Sequence, residues 1–326
     1  MNNERGFALV ITLLITALLV AMTVEFTTEV FVDTSARHNF VAGQQASLLA
    51  ESGITGGIKL LQLNRSTQAY TSLADQWAQP LSASDERGEL QIVIEEETGK
   101  LNLNYVSPPN GAYEGMYAAQ VATRLFRKLD LSPDLIDALA DWVDLNETPH
   151  PGGGEDVYYR NLKPPYSAKN APLETVEELA LVRGFAGTPL ERLRHLVTVY
   201  PDVPAAPTGP ININTAPLEV LTALDDRIND QMAKRIMERR RDTPFKSAAD
   251  LTTVPGFETI GIGLIDKITV KGNVYRIRAE GRVQDVSRAI EAVVRLGGGQ
   301  PVFLYWREYA PLNRVATTEQ TPRGFQ

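Results

Sequence analysis

An uncharged run of 18 residues, Phe7 to Val24 (FALVITLLITALLVAMTV), stands near the start of this 326-residue chain and limits what the rest can be. Only small hydroxyls interrupt it; Arg5 precedes it and Glu25 is the first acid after it. At ~1.5 Å per helical residue the run makes a rod of ~27 Å, close to the hydrocarbon thickness of a bilayer. It reads as a membrane helix. An ordinary secretory signal has a longer basic region, a shorter apolar core and an A-x-A-like site after that core, so any cleavage here falls before the helix.

A six-residue leader ending in Gly6, then Phe7, then the spanning helix, resembles the type IV pilin-like (class III) signal. The resemblance implies that a prepilin peptidase cuts between Gly6 and Phe7 on the cytoplasmic side and methylates the new terminus. The helix then stays in the mature protein as the packing core of a filament. Pilins carry Glu at the fifth mature position, where it pairs with the terminal amine of a neighbouring subunit, but the fifth residue here is Ile11. Among pilin-like proteins that absence is typical of the general secretion pathway K family, the large minor pseudopilins of type II secretion. The plain alternative is a signal anchor in which Gly6 is incidental.

About 300 residues follow the anchor, room for two modest domains. The net charge is −8, and losing the leader leaves it unchanged because Glu4 and Arg5 cancel. So acidic an ectodomain is a poor holder of polyanions. Cysteine is absent, which removes disulfides and thiol chemistry and fits a bacterial periplasmic protein.

No proline occurs between the start and Pro80, and apolar residues recur at Phe26, Val30, Val41, Leu48, Ile54, Ile58 and Leu61, so the helix is expected to continue to about Arg65. Leu90 to Val106 reads as a hairpin around Thr98-Gly99. A second β-rich block begins near Ile268 and runs through Tyr275, Ile277 and Ala279, then Ile290 to Leu296, then Pro301 to Trp306. Helical sequence with Pro/Gly-rich connections lies between. The expected fold is α+β: a long N-terminal transmembrane helix packed on a pilin-like antiparallel sheet, with a large all-α domain inserted into the sheet. The expected boundaries are a leader at 1–6, the transmembrane and stem helix at 7–65, the discontinuous sheet domain at 66–109 and 266–309, the insert at 110–265, and a tail at 310–326.

This arrangement is similar to the K pseudopilins over essentially the whole chain. The match is carried by Gly99-Lys100-Leu101-Asn102-Leu103-Asn104, Ala140-Asp141-Trp142-Val143-Asp144, Gly152-Gly153-Gly154-Glu155-Asp156-Val157-Tyr158-Tyr159, Pro164-Pro165-Tyr166, Pro172-Leu173, Glu178-Leu179, Val182-Arg183-Gly184-Phe185, Ile211-Asn212-Ile213-Asn214-Thr215-Ala216 and Tyr305-Trp306-Arg307-Glu308.

From Asp141 the chain reads DWVDLNETPHPGGGED, oxygen donors with one His and no Cys. Such a set in a flexible loop suits calcium better than zinc or copper. Counted from Asp144, the oxygen spacing through Asn146, Thr148 and Glu155 is that of an EF-hand loop. Pro149 stands where an EF-hand needs Gly, however, so the loop must take another path. The alternative is an acidic turn in which Asp144 or Asn146 caps a helix. Resemblance to the K family favours calcium, with Asp144, Asn146, Glu155 and Asp156 as expected ligands and Asp141 next.

Residues 212–257 look like a paired helix-hairpin-helix unit of DNA-uptake proteins, with Leu218, Leu221, Leu224, Ile228, Met232 and Ile236 lining helices and Pro255-Gly256 in a hairpin. Lys234, Arg235, Arg239, Arg240 and Arg241 supply a basic run. Asp225-Asp226 at the first hairpin and Glu258 beside the second oppose phosphate, so nucleic-acid binding is not expected. No catalytic motif appears: His38, His150 and His195 are scattered, Gly152-Gly153-Gly154 lacks a following Lys, and no enzyme is expected. The aromatics Trp142, Tyr158, Tyr159 and Tyr166 are expected in a core.

The expected function is a minor pseudopilin that caps the pseudopilus tip and helps initiate its assembly, anchored by a single pass in the inner membrane with its C-terminal domain in the periplasm. The resemblance implies as partners the I and J minor pseudopilins, with H as a further candidate, together with the prepilin peptidase and exported cargo. Rival readings are a type IV pilus or DNA-uptake minor pilin, and a membrane-anchored periplasmic binding protein outside any filament.

Overall fold

The computed structural model describes residues 3–202, 209–297 and 299–311, with side chains from Phe7 onward. The expected tail from 312 and the side chain positions of the leader lie outside the described residues. Helix α1 runs without a break from Asn3 to Thr67. In its apolar run the hydroxyls of Thr12, Thr16 and Thr23 return to the carbonyls four residues earlier, at 2.7–2.8 Å, so no hydroxyl is left unpaired in an apolar medium.

The C-terminal half of α1 packs on the sheet through small residues with Ile54, Ile58 and Leu61 among them. Ala42, Ala46, Ala50, Gly53, Ile54, Gly57, Ile58 and Leu61 are buried, whereas Phe26, Val30, Val41 and Leu48 of the expected apolar pattern stay exposed. The reason is distance: a Cβ on Gly53 would stand 2.8 Å from the Cβ of Ala279, so the helix lies too close to the sheet for large side chains along that line.

Five antiparallel strands form the sheet, in the order β1 (Leu81–Asp85), β2 (Gly88–Glu96), β7 (Val274–Val283), β8 (Val286–Arg295) and β9 (Val302–Tyr309). Tyr275, Ile277 and Ala279 of β7 alternate with Ile290, Ala292 and Val294 of β8 against α1. Trp77, in a short 3₁₀ turn, closes the end of this core by an edge contact with Tyr275, ring centres 5.5 Å apart. Near the other end Ser47 of α1 donates to the Glu308 carboxylate of β9 at 2.5 Å.

The hairpin differs from the expected one. It joins β1 to β2, with Glu86 and Arg87 in the turn, and the chain leaves the sheet after Glu96. The carboxylate of Glu96 accepts from the backbone N–H groups of Thr98 and Gly99 at 2.9 and 3.0 Å and from the Thr215 hydroxyl. That capping turns the chain out of the ladder, so Leu101, Leu103 and Tyr105 enter the insert instead of a second strand. The chain rejoins at Val274. The insert therefore spans more than the expected 110–265.

Within the insert, β3 (Leu101–Asn102) pairs in parallel with β4 (Val197–Thr198), and β5 (Ile211–Asn212) with β6 (Ile268–Thr269). Helices α2 (Tyr117–Lys128), α3 (Asp134–Val143), α4 (Asp156–Arg160) and α5 (Thr188–Leu193) lie between the first pair, and α6 (Leu218–Ala223), α7 (Asp230–Asp242) and α8 (Ile260–Leu264) between the second. One continuous apolar core, from Leu101 to Val274, unites them and holds Trp142 and Tyr159. The sheet face away from α1 meets the insert through buried charges. Arg276 of β7 bridges Glu97 at 3.0 Å and Glu291 of β8, and its guanidinium lies over the Tyr200 ring.

Candidate metal centre

Helix α3 brings carboxylates to one place. Asp134 and Asp137 lie in its first turn, where backbone N–H groups favour anions, but Asp141 lies in its last turn and Asp144 is its C-terminal cap, where the helix presents carbonyl oxygens. Both are fully buried, and Glu155, at the start of α4, is 4% exposed. Negative charge at the carbonyl end of a helix, out of water, needs a positive partner.

His150 meets part of that need. Its Nδ1 lies 2.5 Å from Asp141 Oδ1, and its backbone N–H donates to both Asp141 oxygens at 3.1 and 3.2 Å. Burial works to lower the imidazole pKa, but the Asp141 hydrogen bond and the surrounding acids raise it overall. Asp144 Oδ1 accepts from the backbone and side-chain amides of Asn146 at 2.9 and 2.8 Å, while its Oδ2 has no partner. Neither oxygen of Glu155 has one. Burial, then the charges of Asp141 and Asp144, push the Glu155 pKa up to about 7, and burial raises that of Asp144.

Two glycines make this crowding possible. At Gly111, held at φ 75°, a Cβ would stand 2.4 Å from Asp144 Oδ2, and at Gly153 a Cβ would stand 2.0 Å from Asp141 Oδ2. Carboxylate or imidazole atoms of Asp141, Asp144 and His150 fall within 4.8 Å of one another. Orphaned buried oxygens, a hard-oxygen donor set and a cradle without side chains fit a divalent cation of the calcium type.

Of the expected ligands, Asp141 and Asp144 converge, together with His150, and their charges act on the buried Glu155. Asn146 orients Asp144, and its own Oδ1 accepts from Thr148 N–H at 2.8 Å. Asp156 is committed elsewhere: it pairs with Arg160 and accepts from Ala168 N–H at 2.9 Å. Sequence reading missed His150, Gly111, and the Tyr113 hydroxyl and Gly152 N–H that hold Asp137. The glycine run was the available signal, since three flexible residues beside two acids imply close backbone approach.

In the helix-hairpin-helix lookalike three arginines of the basic run and the second hairpin are committed to the chain's own groups. Arg240 is buried, donating to the carbonyls of Ile213 and Ala216 at 2.9 and 2.7 Å, and burial lowers its pKa to about 10. Arg235 donates to Pro255 O at 3.0 Å, and Arg239 to Thr243 O. At the second hairpin Gly256 N–H, the group that would meet a phosphate, already donates to the Glu258 carboxylate at 3.1 Å.

Two family models, both described as type II secretion system (T2SS) protein K, match residues 99–202 and 211–271 and together span just over half of the chain. The chain belongs to the type II secretion system protein K family. The protein K of Pectobacterium carotovorum subsp. carotovorum is 28% identical over 330 residues, 96% of this chain and 99% of that one. That of Aeromonas hydrophila is 26% identical over 316 residues, 89% of this chain and 92% of its own length. That of Pseudomonas aeruginosa is 30% identical over 191 residues, 55% of this chain and about half (54%) of that relative's length. The structure of the GspK-GspI-GspJ complex from the enterotoxigenic Escherichia coli type 2 secretion system contains a chain with the same fold. The TM-score is 0.72 at 20% identity, over 86% of this chain and 100% of that one. In this chain the two family segments lie inside the insert, and the candidate metal centre lies in the first of them. Its apolar N-terminal helix, with a mean hydropathy of 2.7 over the best window, is long enough to anchor it in a membrane.

Proposed function

We propose that this chain is a minor pseudopilin of the type II secretion machinery that caps the membrane-distal end of the pseudopilus and helps start its assembly. The observation that carries this is where the insert departs. Ala46 and Ala50 of α1 lie beside Gly281, Gly53 beside Ala279 and Gly57 beside Ile277, so β7 begins at the membrane-distal end of the stem. The insert leaves and rejoins there, at Glu96 and Val274. A domain of some 170 residues at that end obstructs a subunit stacked above it, while the exposed apolar side chains of α1 remain open to lateral packing below. Ile11, in place of an acid, removes the group that would engage a terminal amine above.

By likeness to the complex whose GspK chain shares this fold, its partners are the I and J minor pseudopilins, with H as a further candidate. The same reading anchors it in the bacterial inner membrane with the sheet and insert in the periplasm, and gives it no catalytic role. Calcium held by Asp141, Asp144 and Glu155, with nearby backbone carbonyls completing the shell, would supply positive charge to the buried carboxylates. Asn146 and His150 orient two of those ligands. The test is the intact mass and amino terminus of the chain extracted from cells with the native prepilin peptidase. Processing between Gly6 and Phe7 with one added methyl group is the expected result. An uncut Met1 terminus in such cells would refute a pseudopilin role.

A further inference from the structure

The insert is built twice. Leu101-Asn102-Leu103-Asn104 and Ile211-Asn212-Ile213-Asn214 each open with a strand paired in parallel to the strand that closes the unit. In the first copy Asn104 N–H donates to Asn102 Oδ1 at 3.0 Å, Asn104 Oδ1 accepts from Leu173 N–H at 2.8 Å, and Asn104 Nδ2 donates to Leu173 O at 2.9 Å and Val199 O at 2.8 Å. In the second copy Asn214 N–H donates to Asn212 Oδ1 at 3.0 Å, Asn214 Oδ1 accepts from Phe245 N–H at 2.9 Å, and Asn214 Nδ2 donates to Phe245 O at 2.8 Å and Val270 O at 3.4 Å. A 3₁₀ turn follows in both, Val176–Leu181 after Thr175 and Ala248–Thr253 after Ser247. Then come Val182-Arg183-Gly184-Phe185 and Val254-Pro255-Gly256-Phe257, each with its glycine at positive φ.

The copies differ in length chiefly at two places. Asn104 and Leu173 are 69 residues apart, Asn214 and Phe245 only 31. Most of the excess lies between Asn104 and Tyr117, where the second copy uses Thr215-Ala216-Pro217, and between Val143 and Leu173, where it uses Thr243-Pro244. These additions, 105–116 and 144–172, enclose the metal centre: Gly111 and Tyr113 come from one, and Asp144, His150, Gly153 and Glu155 from the other. Leu145 N–H donates to Pro109 O at 2.9 Å and so ties the additions to each other. The second copy carries its own cation near the matching helix end. Arg240 stands two positions before the end of α7, as Asp141 does before the end of α3.

We propose that a divalent cation orders the two additions, while both copies of the repeated scaffold stand without it. This rests on the calcium reading above. The scaffold's asparagine bonds and parallel pairs close without any residue of the additions, and the second copy shows a complete unit that lacks them. Away from the acids the additions hold to the scaffold through Tyr159, whose ring packs 5.0 Å from that of Trp142, and through separate hydrogen bonds, among them Asn170 N–H to Trp142 O at 3.0 Å, Arg183 N–H to the Tyr159 hydroxyl at 3.2 Å and the Tyr166 hydroxyl to Leu181 O at 2.8 Å. Without a cation, the buried acids Asp141, Asp144 and Glu155 repel one another, and local opening relieves them at less cost than unfolding the shared core.

The experiment is hydrogen exchange read by mass spectrometry on the full chain in detergent, first with millimolar calcium chloride and then with EGTA. Protection within 105–116 and 144–172 is expected to fall by about tenfold or more, while Asn104, Leu173, Asn214, Phe245 and the two parallel pairs change by less than about twofold. Loss of protection across both copies, or calcium binding with no change in the additions, overturns the proposal. Absence of calcium binding in isothermal titration removes the calcium reading itself, which is a separate result.

Discussion

Glu155 and Asp144 show how a residue acquires a role that its type alone does not give. Three buried oxygens without partners are a standing cost, since an unpaired buried polar group is destabilising by about 1–3 kcal/mol and a charged one by more. Calcium is therefore expected to raise the melting temperature of the detergent-solubilised chain, and Asp144→Ala with Glu155→Ala to abolish the rise. At about a hundredfold excess over the dissociation constant the gain is about 2.7 kcal/mol. A calcium-induced shift retained in the double variant would place the ion elsewhere. Glu97 is the opposite case. Burial opposes its charge, but Lys100 and Arg276 outweigh burial and hold its pKa down at about 2, below the ordinary 4.5, and Glu291 is lowered too. A carboxylate depressed in the folded state contributes stability that is present above pH 4.5 and is lost as the pH falls toward about 2. Glu97→Gln is expected to cost about 3 kcal/mol at neutral pH, because it leaves Arg276 half-paired in the interior. It is also expected to flatten the acid limb, as read by urea unfolding at pH 7 and at about pH 3.

At the scale of elements, α1 was legible from local pattern, since an 18-residue apolar run followed by a stretch without proline favours an unbroken helix. Its packing face was legible only in part: Ile54, Ile58 and Leu61 are buried as the apolar pattern expects, whereas Phe26, Val30, Val41 and Leu48 are exposed. Pattern reading passes over Ala46, Ala50, Gly53 and Gly57, because close approach of a helix to a flat sheet depends on what is missing from the side chain. Gly53→Val is accordingly expected to lose about 1–3 kcal/mol by overpacking against Ala279 and Leu90. Gly56→Ala, which meets nothing within 4 Å, is expected to gain about 0.5–1 kcal/mol. Thermal unfolding of the two variants checks both signs, and equal effects would mean that the stem does not lie on the sheet as described. The hairpin shows the converse limit. Leu101, Leu103 and Tyr105 alternate as a strand does, but Glu96 caps the following N–H groups and takes the chain out of the ladder.

In the whole molecule, one sheet is completed by strands that lie on either side of the insert, and the insert's bulk falls at the end of the stem away from the membrane. The sequence by itself determined the long apolar N-terminal helix, the acidic loop with its glycines, the β-rich blocks on either side of a helical region, and the family. Each of these is written in neighbouring residues: an apolar run sets a membrane span, and a cluster of acids and glycines sets a loop. Only the tertiary structure decided the rest. It turned Asp156 toward Arg160 and brought His150 and Gly111 to the acids, buried Arg240 under two carbonyls, and set Asn104 and Asn214 in matching roles within two unequal copies. Apart from the Asp156–Arg160 pair, these relations join groups from different elements, and it is folding, which removes water from them, that settles which charges must find partners.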